Sequence, residues 1–207
     1  MHVVSVQVGS PHTLQVGERA VETGIIKSPV EEMIVNVEGI AGDAVMNTKH
    51  HGGPDQAVYV YSFEDYEWWN EQLNRSLQPG AFGENLTVSR IPKLVRTGDR
   101  LRAGDVLLEV SAPRNPCATF SAQMREPGWI RRFRDARRPG FYCRVLQPGT
   151  IRAGTTVEWI SAPAENISLS EMVDHGYAGD IPAADIRRAL ASPISHRARA
   201  QYQSRLR

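Results

Sequence analysis

Short runs rich in β-branched and aromatic residues dominate the first 160 positions, and Gly, Pro and Asp turn signals separate them. Met1 to Val8, Ala20 to Ile26, Met33 to Val37, Gln56 to Tyr61, Asn85 to Val88, Arg100 to Leu101, Val106 to Ser111, Phe141 to Leu146 and Thr156 to Ile160 read as strands. So many short strands with few helices predict a mainly β fold, a closed β-barrel with a few peripheral helices and a small C-terminal helical segment. Leu101-Arg-Ala-Gly104 and Ile151-Arg-Ala-Gly154 each read as a turn feeding the strand that follows, a likeness too short to count as a repeat.

Helical periodicity is rarer. Ser62 can cap a helix on which Phe63, Tyr66, Trp69 and Leu73 recur at three- and four-residue intervals, a face that packs on the barrel as core. Pro116 suits a helix start, so Cys117 opens a short helix through Ala118 to Met124, and Gly128 to Arg138 reads as another. After Trp159 the pattern changes: Ser168-Leu-Ser-Glu171 is a capping signal, and Ala183 to Ala191 and Ser195 to Leu206 are helical. The expected organisation is a barrel domain over 1–162 and a helical segment over 163–207. That segment is too small to hold a core alone, so it docks on the barrel or on a second subunit, and a homodimer is compatible with it.

Composition narrows the classes. With 207 residues, 41% of them hydrophobic, the chain can bury a sizeable core. A net charge of +1 gives no sign of a nucleic-acid partner. The charge is uneven, however: eight arginines between Arg114 and Arg144 face only Glu126 and Asp135, an anion-seeking stretch or a solvated helix face. The apolar start Val3-Val4-Ser5-Val6 is too short for a secretory leader, and no run approaches the roughly 18 residues of a membrane span. A cytoplasmic protein is expected, with its two cysteines, Cys117 and Cys143, reduced; sequence alone leaves a disulfide between them open.

Three segments carry candidate chemistry. In Ser111-Ala-Pro-Arg-Asn-Pro-Cys117, two prolines hold the approach extended and set a thiol beside Arg114. A guanidinium and a helix N-terminus both favour the thiolate, the form that attacks electrophiles and binds metals. In Lys49-His-His-Gly-Gly-Pro-Asp-Gln-Ala57, paired glycines allow a tight turn whose N–H groups can meet a ligand; the bland alternative is a polar turn. In Phe82-Gly-Glu-Asn-Leu86, Glu84 and Asn85 supply an acceptor and an amide at a strand start, where a structural role serves as well.

Taken in order and spacing with the turns at Gly98-Asp-Arg-Leu101 and Gly104-Asp-Val-Leu-Leu-Glu-Val110, these runs resemble the MOSC family, the domains related to the C-terminal part of molybdenum cofactor sulfurases. The chain is most similar to the stand-alone YiiM-like branch, over roughly Ile25 to Ile160. The resemblance implies a bound molybdenum cofactor (molybdopterin), with Cys117 matching the cysteine that ligates molybdenum. It places His51, Gly52, Gly53 and Asp55 (the HGG-x-D loop), with Glu84 and Asn85, along the cofactor cleft, and adds Lys49, Arg114 and Asn115 as binding candidates. The arginines from Arg125 to Arg138, Arg131 among them, are candidates for the pterin phosphate. The family is also associated with pyridoxal phosphate binding.

The implied reaction is reduction of an N-hydroxylated small molecule, a hydroxylaminopurine or an amidoxime, with His51 or Asp55 supplying a proton. No G-x-G-x-x-G follows a strand and opens a helix, so electrons are expected from a separate flavin or iron–sulfur reductase. Two other classes stay open: a sulfur carrier or cofactor-handling protein bearing a persulfide on Cys117, and a cysteine hydrolase pairing Cys117 with His50 or His51.

Overall fold

A computed structural model of the chain describes residues 1–48 and 51–206. In chain order it forms β1 (His2–Gly9), β2 (His12–Val16), β3 (Arg19–Thr23), β4 (Lys27–Pro29), β5 (Glu32–Asn36), β6 (Gly39–Ile40), a 3-10 turn (Pro54–Gln56), β7 (Val58–Ser62), α1 (Phe63–Leu73) and β8 (Leu86–Ser89). There follow β9 (Arg100–Ala103), β10 (Val106–Pro113), α2 (Ala118–Met124), α3 (Trp129–Ala136), β11 (Phe141–Gln147), β12 (Gly149–Arg152), β13 (Val157–Ile160), α4 (Leu169–Tyr177), α5 (Ala183–Ala191) and α6 (His196–Ser204). The mainly β reading holds.

Eight strands form one sheet in the order β13-β9-β10-β11-β7-β8-β1-β4. Its neighbours are antiparallel except β7 and β8, which run parallel because α1 carries the chain back between them. The sheet does not close into the expected barrel through a continuous ladder. Between β1 and the approach to β13 there is a single bridge, His2 to Thr156, with Val3 and Gly154 exchanging backbone bonds with Thr155 and Val3.

Two smaller sheets were not anticipated. The β2–β3 hairpin turns at Gly17, which has a positive φ of 61°. The second consists of β12, β5 and β6, where Ile151 pairs with Met33 and both are buried. Ile151 and Arg152 are therefore strand rather than turn; the turn falls at Gly154, with φ 84°.

Two hydrophobic clusters hold these layers. The larger fills the sheet interior with Val3, Val6, Val60, Leu86, Leu108 and Val110, and continues into Ile167, Met172, Ile186 and Tyr202 of the C-terminal segment. The helices after 163 thus share the core of the sheet, as their lack of a core of their own required. The smaller cluster is aromatic. Tyr66 and Trp69 of α1 meet Phe120 of α2, Trp129 and Phe133 of α3, and Phe82 from the loop before β8. Each fully buried phenylalanine here contributes roughly 1.5–3 kcal/mol. Of the helical stripe read from the sequence, Tyr66 and Trp69 are core, Leu73 packs at its edge and Phe63 lies outside it, and the cluster fixes α2, and with it Cys117, against the sheet.

Candidate functional site

The path from β10 into α2 sets the site. β10 ends at Pro113, and Arg114 then turns inward to become 5% exposed. Its guanidinium lies between the rings of Phe120 and Tyr59, at 4.0 and 4.8 Å from their centroids, and donates to the carbonyl of Phe82. Cys117 takes the N-cap position of α2 in an extended conformation, its carbonyl accepting from Ser121 N–H at 2.9 Å. Its thiol is free and partly exposed. It faces a cavity of about 410 Å³ shared with Arg114, Tyr142, His51, Gly52 and Asn85.

Glycines form the rim because nothing else fits. Gly52 and Gly53 have φ of 71° and 82°, and a Cβ on Gly52 would lie 2.9 Å from Val45 Cγ1. Gly53 then caps the 3-10 turn that Pro54 opens. Across the cavity Gly83, φ 73°, packs so closely that a Cβ would lie 2.9 Å from Ile25 Cγ1 and 3.5 Å from Arg114 Nη1.

His51 follows the same turn, its N–H bonded to Asn47 O at 2.9 Å. Burial and the positive fields of Arg114 and Arg197 hold its imidazole below the usual histidine value, so it is neutral at neutral pH. Arg197, from the first turn of α6, donates to Gln56 Oε1 at 2.5 Å and to the carbonyls of Gly52 and Thr48 at 3.4 and 3.3 Å. The C-terminal segment therefore holds the glycine loop.

Cys117, His51 and the glycine loop belong to the residues that a family model recognises: the MOSC domain model matches residues 47–158. The chain belongs to the MOSC domain family. It is 36% identical over 169 residues to the Bacillus subtilis protein YflK, covering 81% of this chain and 76% of that one. A crystal structure of YiiM from Geobacillus stearothermophilus superposes with a TM-score of 0.81 at 30% identity, covering 100% of this chain and 99% of the other. A Gibberella moniliformis protein named "Reductase" is 35% identical over 130 residues, which are 60% of this chain and 23% of that protein.

The MOSC match does not contain the whole cavity. Lys27 and Asp43, which line it, precede the match, and Arg197, which holds its glycine loop, follows it. Lys27 Nζ and Asp43 form an ion pair at 2.5 Å whose side chains are nearly buried. Burial lowers the lysine's pKa against the opposing pull of Asp43. The sequence reading missed these three residues together with Gln56, Tyr59 and Tyr142. For Tyr59 and Tyr142 strand alternation was the available signal, since each sits beside a core residue on its strand, Val58 or Val60 and Phe141 or Cys143. Lys27, Asp43 and Arg197 carry no local signal, because only tertiary folding brings them to the loop.

Several expected site residues of this MOSC protein lie elsewhere. Asp55 does not line the cavity. Its carboxylate accepts from Arg144 Nε at 2.9 Å and from the N–H and Nδ1 of His196 at 2.7 and 3.0 Å. Burial raises its pKa, yet these donors bring it net below the ordinary carboxylate value, which suits a fixed acceptor and not a proton donor. Glu84 is fully buried, with Oε1 accepting from Tyr66, Gly80 N–H and Thr87 at 2.6 to 2.8 Å. It shapes the loop that carries Gly83. Asn85 reaches the cavity but mainly as a clamp: Oδ1 accepts from Tyr59 N–H at 3.1 Å and Nδ2 donates to Asp43 at 3.0 Å.

The basic helix α3 is a solvated face. Arg131 is 84% exposed and 3.8 Å from Asp135, while Arg132, Arg137 and Arg138 pair with Glu126, Asp174 and Asp65. None of these lines the Cys117 cavity, where Lys27 and Arg114 are the cations among the described residues. Asn115 is exposed and lines a second, adjoining cavity. Lys49 and His50 lie outside the described residues. Among the described residues both cysteines are free, so the disulfide alternative does not arise, and no helix is long and apolar enough to cross a membrane.

Proposed function

We propose that this MOSC protein is a molybdenum-cofactor-dependent reductase of N-hydroxylated compounds in which Cys117 ligates molybdenum. One observation carries the reading: a single thiol, partly exposed, faces a cavity beside a buried guanidinium and under a rim of positive-φ glycines. A lone thiolate offers one soft ligand, so a metal held here takes its other ligands from the group that carries it, as a dithiolene cofactor would provide. The glycine rim leaves backbone surface against which a planar ring system can lie, and Lys27 and Arg114 suit its anionic part better than the exposed arginines of α3. The donor set and the cradle therefore fit the cofactor. The similarity to a protein named "Reductase" supports the redox class.

When bound, the cofactor supplies the two-electron oxygen-atom chemistry. The chain's own residues do the rest. Arg114, held rigid between two rings, keeps a fixed positive charge in the cavity that Cys117 faces. His51, on the cavity wall, is positioned to move a proton, and Arg197 holds the loop that carries it. In balance, an N–OH group with two electrons and two protons gives N–H and water. The electrons come from a separate flavin or iron–sulfur reductase.

The test is expression in cofactor-competent and cofactor-deficient hosts, followed by measurement of bound molybdenum and reduction of an N-hydroxylated purine. Activity only from the competent host is expected; equal activity from both would overturn the reading. Labile sulfane sulfur on Cys117 with no bound metal would instead identify a sulfur carrier.

A further inference from the structure

A second cavity of about 580 Å³ lies between the end of β10 and the helices α4 and α6, and shares His51, Gln56 and Tyr142 with the Cys117 cavity. The two are adjoining chambers divided by those side chains. The wall of the second contains no aspartate or glutamate among the described residues, while Arg197, Arg205 and the imidazoles of His51 and His175 line it. The nearby carboxylates of α4 are engaged outside it, Asp174 by Arg137 and Glu171 by Arg188. Arg205 donates through Nη1 alone, to the carbonyls of His175 and Ala178 at 3.2 Å, which leaves the rest of its fork for an anion. Rings complete the wall: Tyr142, Tyr177 and Tyr202, the last held by His175 Nδ1 at 3.0 Å. The volume falls within the roughly 300–1,000 Å³ typical of small-ligand sites.

We infer that this second chamber binds an aromatic anion of the size of a nucleoside monophosphate, with its anionic group at Arg205 and its ring against the tyrosines. The inference deepens the reductase reading: the substrate would be an N-hydroxylated aromatic carrying a phosphate or carboxylate, approaching Cys117 past His51. A nucleobase without the anion would leave the open side of the Arg205 fork unused. The C-terminal helices would then determine specificity.

Calorimetry on the full chain purified without cofactor tests this independently of molybdenum. Adenosine 5′-monophosphate is expected to bind about tenfold or more tighter than adenosine, and Arg205→Gln to shrink that gap to about threefold or less. Gln201→Trp, which fills the chamber from an exposed position on α6, should abolish binding of both with the melting temperature unchanged. Displacement of the nucleotide by 4-hydroxybenzoate at similar concentration would make any aromatic anion the ligand; failure to displace would make phosphate the recognised group. Equal affinity for nucleotide and nucleoside, or nucleotide binding that survives both substitutions, would overturn the inference. Because no metal enters this assay, its failure would leave the host-dependence of turnover untouched, and loss of that host-dependence would leave this binding result standing.

Discussion

Cys117 and Cys143 each have an arginine close by in sequence, and the fold gives them different surroundings. Cys143 lies on β11 between Val110 and Val58 of the adjacent strands, fully buried in the core. Burial drives its thiol far above the ordinary value, so it stays protonated. Arg144, the next residue on the strand, points to the other face and is held by Asp55 and Glu109 at 2.8 and 2.9 Å. Arg114 instead leaves the sheet where β10 ends and folds back into the cavity that Cys117 faces. Proximity along the chain is therefore a poor guide to which thiol shares a cavity with its arginine; what decides is whether the backbone leaves the strand between cation and sulfur.

Substitutions can break that contrast, most strongly at the first cysteine. Cys117→Ser should abolish turnover and bound molybdenum with a melting temperature within about 2 °C of wild type, because the residue is a half-buried helix cap at the edge of the aromatic cluster and not one of its buried members. Arg114→Gln should cost about 10- to 100-fold in turnover or metal retention. Arg114→Lys should not restore it, since an ammonium cannot stack between Phe120 and Tyr59. His51 is neutral at neutral pH, so a step that needs its cationic form should speed up as pH falls from about 8 to about 6. A His51→Gln variant should lose that slope in a pH–rate profile.

At the second cysteine the effect should fall on stability alone. Cys143→Ser buries a hydroxyl and should cost about 1–3 kcal/mol in denaturant titration, with turnover per folded molecule unchanged. The smallest effect concerns the C-terminal segment. Arg188 and the Ser168 cap hold the Glu171 carboxyl down to about 2. This depressed value stabilises the fold above the unfolded carboxylate pKa and is lost as pH falls toward about 2. Since the pair is partly exposed, Glu171→Gln should change that acid limb by less than about 1 kcal/mol.

Elements whose signals are local were legible in the sequence. Phe63–Leu73, Ala118–Met124 and Ala183–Ala191 form helices where periodicity and caps placed them, and the Ser168 capping box is present. Even so, the Ser62 hydroxyl donates to Glu64 instead of capping α1. Strands with short or weak local patterns were missed: β2 of the β2–β3 hairpin, β4 with its proline, the two-residue β6, and β12, which looked like a turn until Met33 paired with Ile151. The site divided along the same line. Cys117, Arg114 and the glycine loop were visible because their backbone demands are written locally. The structural duties of Asp55 and Glu84 were not, because carboxylates that bind ligands and carboxylates that staple loops look alike until their donors are known. Arg197 was invisible for the converse reason, 141 residues from the Gln56 it holds.

The central claim is that only one of the two thiols serves a metal. Molybdenum per chain, measured on wild type, Cys117→Ser and Cys143→Ser purified from a cofactor-competent host, tests it most directly. About one molybdenum per chain is expected in wild type and Cys143→Ser, and at least about tenfold less in Cys117→Ser. Wild-type molybdenum content in Cys117→Ser, or none in the wild type, would contradict the account.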